Sequence, residues 1–580
     1  MQLKFIHLAA GLVAGLGCML SCVEINEELG KEYIPTRHLY DVYTDTIYLK
    51  DIRMKRTDKL SGYSTSRITI GSVRDEVFGL TTRGSAFTLI PVDPDMDFGK
   101  GAVCTQFHFS AVRDTLSWPD ESQANIIQNV NVYRLSQELG EDVLYIDGNG
   151  DNGDIESKID RKNRVAPVFS YFGQDSLSFN FNTAFGDEYI NGIKKLQAED
   201  KMDSVSNYVK VLPGIYIETD EQVSDGGRIN MFDLAIQVTD SYYIGGNYAE
   251  LKFKATYDDR GPVDTSFLFF FGAQAMSVYQ QATSSYSTPS QTPQYAFNIA
   301  KAGEIKDASG DGLPATQEMY IEGGSGIKPV ISAKEIKDSL DDIFGRQGIN
   351  PDGVIVHKAT VVLPYKFNVE EYESMYLYPD RLSPTCRRAT TDEETGETIY
   401  SFAGLTDSSV ESENKGDINR SMNWYAPDIS HHVQEILKRV DDENSEDYDI
   451  WMLTMANEVV QSESSDNSSL SDYYANLAYY DYYNSLYNYG YGGYYGGYYG
   501  NYYDSYYGMS NYYNYMLAAQ YASSQSTSQT TVSMQLDKDR YYRATLNGPE
   551  ATADAADGPG EEFLRPRLTI TYSVSKMADR

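Results

Sequence analysis

Apolar side chains recur at every second position in several stretches of the chain: Leu177, Phe179 and Phe181; Leu234, Ile236 and Val238; Leu251, Phe253, Ala255 and Tyr257; Leu568, Ile570, Tyr572 and Val574. A period of two gives an extended chain one apolar and one polar face, as half-buried antiparallel strands require. Turn-rich spacers such as DGNGDNGD lie between such runs, and long helices alternating with continuous apolar strands are missing from the pattern. The expected fold class is therefore mainly β: two antiparallel β-sandwich, jelly-roll-like halves with a few short helices. Two helices stand out. Ser332 and Glu335 form a capping box ahead of Ile336, Leu340, Ile343 and Phe344, with Gly345 as the expected stop. A second helix is expected from about Asp428, with Ile429, Val433, Ile436, Leu437 and Val440 on one face.

The string YDDRGPVDTS follows the alternation that ends at Tyr257 and combines Gly, Pro and charge. It predicts a boundary near residue 260, between an N-terminal sandwich over 41–260 and a C-terminal one over 261–580. The stretch 473–521 breaks every period. It carries 21 of the chain's 50 tyrosines in 49 residues, in runs such as YNYGYGGYYGGYYG. This composition predicts a long, disordered Tyr/Gly-rich loop inserted in the second sandwich. Tyrosine faces stack on sugar rings, so Tyr494, Tyr495, Tyr498 and Tyr499 are candidate binding residues.

The beginning of the chain is an address rather than a fold. Lys4 precedes an apolar run over residues 5–20, too short for a comfortable membrane span. The run ends in Leu20, Ser21 and Cys22, which resembles a bacterial lipobox. Cys22 is the expected lipidated residue, residues 1–21 the signal peptide and 22–40 an acidic tether; Cys18, inside the apolar run, is the alternative. Two or more acyl chains hold a protein stably to a bilayer, so the membrane is a partner through the lipid anchor. Charge adds to this picture: 84 acidic against 48 basic residues give a net charge of −36, which excludes a tight nucleic-acid partner.

Chemistry is sparse. His7, His38, His108, His357, His431 and His432 form no metal-binding motif, and the adjacent His431 and His432 leave a helix on different faces. GGSG at 323–326 lacks the last glycine of a nucleophile elbow, and Gly148, Gly150 and Gly153 match a dinucleotide loop without the amphipathic helix it needs. Asp307, Ser309, Asp311, Gly312 and Glu318 follow the order of a calcium loop, although Pro314 stands at an anchor position. Calcium is thus the one cofactor the sequence suggests, the alternative being a solvated turn. Cys104 and Cys386 either bridge the halves or stay as buried thiols.

The lipobox and acidic start, followed in order by ELGKEYIP, DTIYLK, GSVRDEVFGLTT, NVNVYRLSQEL, LPGIYIETD, MYIEGGSGIKPVI, VVLPY, APDISHHVQEIL and RPRLTITYS, resemble the Bacteroidetes lipoproteins grouped as domain-of-unknown-function family 4270. The resemblance spans most of the mature chain and implies an outer-membrane lipoprotein on the periplasmic or extracellular face, with no catalytic residues to carry over. The expected function is a non-catalytic binding or assembly module with a glycan or envelope protein as partner. The alternative is a glycan-active, glycoside hydrolase-like enzyme or a carbohydrate-binding adhesin.

Overall fold

The structure is a computed structural model. It describes residues 40–57, 67–91, 95–114, 126–139, 146–148, 154–202, 204–233, 237–238, 244–245, 248–258, 260–271, 296–302, 312–366, 377–391, 398–410, 412–460, 531–536, 540–552 and 561–575. The fold is mainly β, with several antiparallel sheets, none of them closed. Of the expectations above, the signal peptide with Cys18, residues 22–39 of the tether with Cys22, the Tyr-rich loop and the alternating residues Leu234 and Ile236 lie outside the described residues.

Where the alternation is strong, the strands form as the period requires. Strand Ser176–Phe181 lies beside Lys100–Val112, so that Leu177, Phe179 and Phe181 stand opposite Ala111, Phe109 and Phe107. The Phe109 and Phe179 rings stack at 5.0 Å, and Phe107 meets Phe181 at 4.8 Å. The five-stranded sheet continues through Tyr248–Tyr257, Arg260–Phe271 and Leu89–Pro91. A larger sheet faces it, in the order Gly226–Asp233, Arg67–Asp75, Gly79–Phe87, Ile215–Thr219, Gln128–Leu135 and Ile159–Arg164. Helix α1 (Thr183–Ala198) leaves the strand Ser176–Phe181 directly and buries Phe185, Tyr189, Ile193 and Leu196 under the aromatic sheet. That helical period is present in the sequence beside the two helices expected above.

The second sandwich is built around a sheet ordered Tyr40–Tyr48, Arg567–Ser575, Val354–Pro364, Trp424–Tyr425 and Ile418–Asn419. Its partner sheet includes Ile52–Arg56, Ile327–Ile331, Ile450–Val460, Leu382–Thr391 and Thr398–Gly404. Between them lies a core joined by α2 (Ala333–Gln347) and α3 (Ser430–Arg439). Ser332 Oγ accepts from the Glu335 amide, but the Glu335 carboxylate reaches the backbone N–H groups of Lys50 and Asp51 instead of closing the box. Helix α2 runs past Gly345 and stops at Gly348, whose φ of +71° is the left-handed conformation glycine accepts without strain.

The domain boundary at residue 260 is corrected by this topology. Tyr248–Tyr257 and Arg260–Phe271 are hydrogen-bonded antiparallel neighbours, with Tyr257 opposite Arg260, so the two strands form a hairpin inside one sheet. Ala296–Lys301 also belongs to the first sandwich, paired with Gly79–Phe87. The strands Tyr40–Tyr48 and Ile52–Arg56, assigned above to the N-terminal half, pair instead with Arg567–Ser575 and Ile327–Ile331. One sandwich (67–301) is therefore inserted into the other, whose strands come from both sides of it. Gly, Pro and charge mark a tight turn as well as a linker, and local composition does not distinguish the two.

Candidate functional site

Two constellations gather polar side chains in places where burial gives them chemical weight. The first surrounds the start of α3. Both oxygens of Asp407, which is 3% exposed, accept helix N–H groups, from His431 at 2.7 Å and His432 at 3.1 Å. A buried carboxylate thus satisfies amide donors that the helix leaves unpaired, and meets the positive end of its dipole. Replacing Asp407 by alanine is expected to cost about 1–2 kcal/mol, read as a lower urea midpoint.

Beside this cap lies a cavity of about 410 Å³ whose lining includes Cys386, Thr406, His431, His432, Glu435 and Tyr448. Cys386 Sγ is 3.7 Å from His432 Nε2, a spacing that invites comparison with a thiol–imidazole nucleophile. The second contact of that nitrogen decides the matter. Nε2 is 2.9 Å from the Tyr448 carbonyl oxygen, which only accepts, so Nε2 carries the proton and donates it there. Burial holds the His432 pKa below its ordinary value and keeps the ring neutral. A neutral ring presenting N–H toward sulfur does not withdraw the thiol proton. This pair braces α3 against the segment at Tyr448.

The same region brings two carboxyls together. Asp428 accepts from the Asn414 amide at 2.9 Å and Lys358 Nζ at 3.2 Å; burial works to raise its pKa, and Glu413, then Thr360, Asn414 and Lys358, hold it down. Glu413 lies 3.8 Å from the same Lys358 Nζ, and the neighbouring Asp428 carboxyl raises the Glu413 pKa.

The second constellation is the seam between the sandwiches. The hairpin joining Arg67–Asp75 to Gly79–Phe87 drives Phe78, 3% exposed, into the core of the second sandwich. There it meets Tyr320 edge-on at 5.6 Å, and the Arg543 guanidinium covers it at 4.6 Å. Arg543 Nη1 also pairs with Asp75 at 3.0 Å, and Asp75 caps the turn through the amides of Val77 and Phe78. Behind the hairpin, Thr81 donates to Glu322 across the seam. Lys328 is fully buried, with Nζ donating to the carbonyls of Glu322, Gly324 and Gly326 and contacting Thr57 Oγ1. Burial pulls its pKa from 10.5 to about 7; the Glu322 carboxylate opposes that shift and Arg83 adds to it.

GGSG acquires a structural reason here. A Cβ on Gly324, whose φ is +62°, would stand 2.8 Å from Arg83 Nη1, and Ser325 Oγ donates to the Ala300 carbonyl at 2.6 Å across the seam. The signal for the buried lysine was its position inside the otherwise apolar run IKPVI.

The remaining sequence candidates are dispersed. Asp307, Ser309 and Asp311 of the calcium loop, and Tyr494, Tyr495, Tyr498 and Tyr499, lie outside the described residues. Glu318 opens strand Glu318–Glu322, and its carboxylate takes Lys366 Nζ at 2.7 Å and the Tyr320 hydroxyl at 2.7 Å. His108 contacts Asn180 and Ser178, and His357 contacts Ser573, in side-chain ladders across strands. Cys104 and Cys386 are buried thiols in separate cores and are not bonded to each other. Among the described residues, no group of three or more His, Cys, Asp or Glu side chains is placed to hold a metal ion, and no helix is long and apolar enough to cross a membrane. No protein-family model, no curated protein and no solved structure matches this chain.

Proposed function

We propose that the protein is an outer-membrane lipoprotein, anchored through acylated Cys22, whose two-sandwich body is a non-catalytic binding or assembly module of the envelope. The observation that carries this reading is the pairing of Tyr40–Tyr48, residue for residue, with Arg567–Ser575. A tether ending at Tyr40 thus feeds straight into a nine-residue strand of the folded body, so the anchor and the last strand are joined through one sheet. The resemblance of the ordered sequence strings to family 4270 is in keeping with the same reading. The seam supports the body's role as a scaffold, because Phe78, Arg543 and Glu322 fix one sandwich on the other.

Metabolic labelling with an alkyne fatty acid tests the anchor. The wild-type chain and Cys18→Ser are expected to take up label and float with the membrane fraction, and Cys22→Ser to lose both. Label retained in Cys22→Ser would overturn the assignment.

A further inference from the structure

The sheet that begins at Tyr40 turns an unusual face outward. Its first strand presents Tyr40, Val42, Thr44, Thr46 and Tyr48, all exposed, with Val42 65% accessible. Register places the half-buried Thr569 and Thr571 and the buried Ser573 of Arg567–Ser575 beside them, and Thr44 and Thr571 are in hydroxyl contact at 3.2 Å. Ile355 lies beyond Ser573 on the third strand and is exposed. At the end of the face near Tyr48, Arg567 lies between the rings of Trp424, at 5.5 Å, and Phe563, at 5.9 Å, the latter 56% exposed. The outward positions of the first two strands carry no carboxylate, although 84 of 580 residues are acidic; on the third strand Lys358, beside Thr571, is exposed and pairs with the buried Asp428 at 3.2 Å. Aliphatic, hydroxyl and aromatic side chains with a stacked arginine and a lysine on a long apolar stem are the composition of protein surfaces at the boundary between water and lipid.

We propose that this face rests on the surface of an uncharged phospholipid bilayer, holding the body down beside its anchor. The proposal builds on the lipoprotein reading, which identifies where the chain is tied. Tyr40 follows Cys22 by 18 positions, and covalent geometry limits that span to about 60 Å. The face is thus held near the bilayer at high effective concentration, where weak adsorption is sufficient. A second copy of the chain is a poorer occupant. Three strands of nine residues make a face of roughly 30 by 14 Å, about 400 Å², about half the area per partner of a stable interface. Charge selects the lipid, because a body of net charge −36 is repelled by an anionic surface.

The test supplies the tether chemically, so that it does not depend on acylation. The chain from residue 22 onward, with Cys22→Ser and an N-terminal hexahistidine tag, is docked on phosphatidylcholine vesicles containing nickel-chelating lipid. An environment-sensitive fluorophore is placed at Val42→Cys or at Val103→Cys, an exposed position on the inserted sandwich. Emission from position 42 is expected to brighten and shift to the blue on docking, emission from position 103 to stay unchanged, and Ile355→Asp to abolish the response at 42. Equal responses at the two positions would overturn the proposal, as would brightening at 42 with soluble polysaccharide and none with vesicles, which would make the face a glycan platform. Failure of the fatty-acid label with success here would reject the Cys22 anchor and keep the lipid-facing surface.

Discussion

Phe78→Ala is expected to lower the unfolding free energy by about 3–5 kcal/mol and to loosen the two sandwiches from each other. The side chain is buried in a core that is not its own, between Tyr320 and the Arg543 guanidinium. Truncation forfeits the transfer of a phenyl ring from water and leaves a cavity that the turn around Asp75 cannot close, because Arg543 and two amides hold that carboxylate in place. Arg543 also loses the ring it covers. Urea unfolding followed by intrinsic fluorescence would show the loss, and hydrogen exchange would show faster opening in Arg67–Phe87 and Arg543–Asn547. A change below about 1 kcal/mol would mean that the hairpin tip only touches the second sandwich.

The second large effect is a pH dependence. Lys328 has a folded pKa of about 7 against an unfolded value near 10.5, because burial disfavours the ammonium. Between those values the unfolded chain binds more protons, so stability rises with pH; below about 7 the lysine is protonated in both states and its contribution is flat. The slope is at most about 1.4 kcal/mol per pH unit, so wild type is expected to gain up to roughly 2.7 kcal/mol relative to Lys328→Met from pH 7 to 9. The Glu322 carboxylate reduces the gain by favouring the charged lysine. Chemical unfolding of both proteins at pH 6, 7, 8 and 9 gives the difference directly. Parallel curves would show that Lys328 does not titrate in this window.

Much of the local structure was legible because it is local. Alternation at Leu177–Phe181, Leu251–Tyr257 and Leu568–Val574 marked strands that the structure contains, and Ser332 marked the start of a helix. The path of the chain was not legible in the same way. Nothing in YDVYTDTIY specifies pairing with residues more than 500 positions away, since a two-residue period fixes which face is buried and leaves the neighbour open. The boundary near 260 is missed for the same reason: Gly, Pro and charge mark a break in a strand whether or not a domain ends there, and here the chain returns to the same sheet. Site chemistry follows the same division. His431 and His432 do leave α3 differently, one half exposed and the other buried, as helical geometry dictates. The carbonyl that fixes the proton of His432, the carboxyl beside Asp428 and the oxygens around Lys328 all come from other segments, and only the folded chain brings them together.

The insertion of one sandwich into the other, and with it the place where a tether meets the body, is tested most directly by a disulfide between Thr44→Cys and Thr571→Cys. Their hydroxyls are 3.2 Å apart and the two residues are register partners. Under mild oxidation the double variant is expected to close a covalent loop from residue 44 to 571, seen as faster migration that reductant reverses, with neither single variant doing so. A double variant that stays reduced in the folded state would place the first strand elsewhere, contradicting both the topology and the lipid-facing sheet built on it.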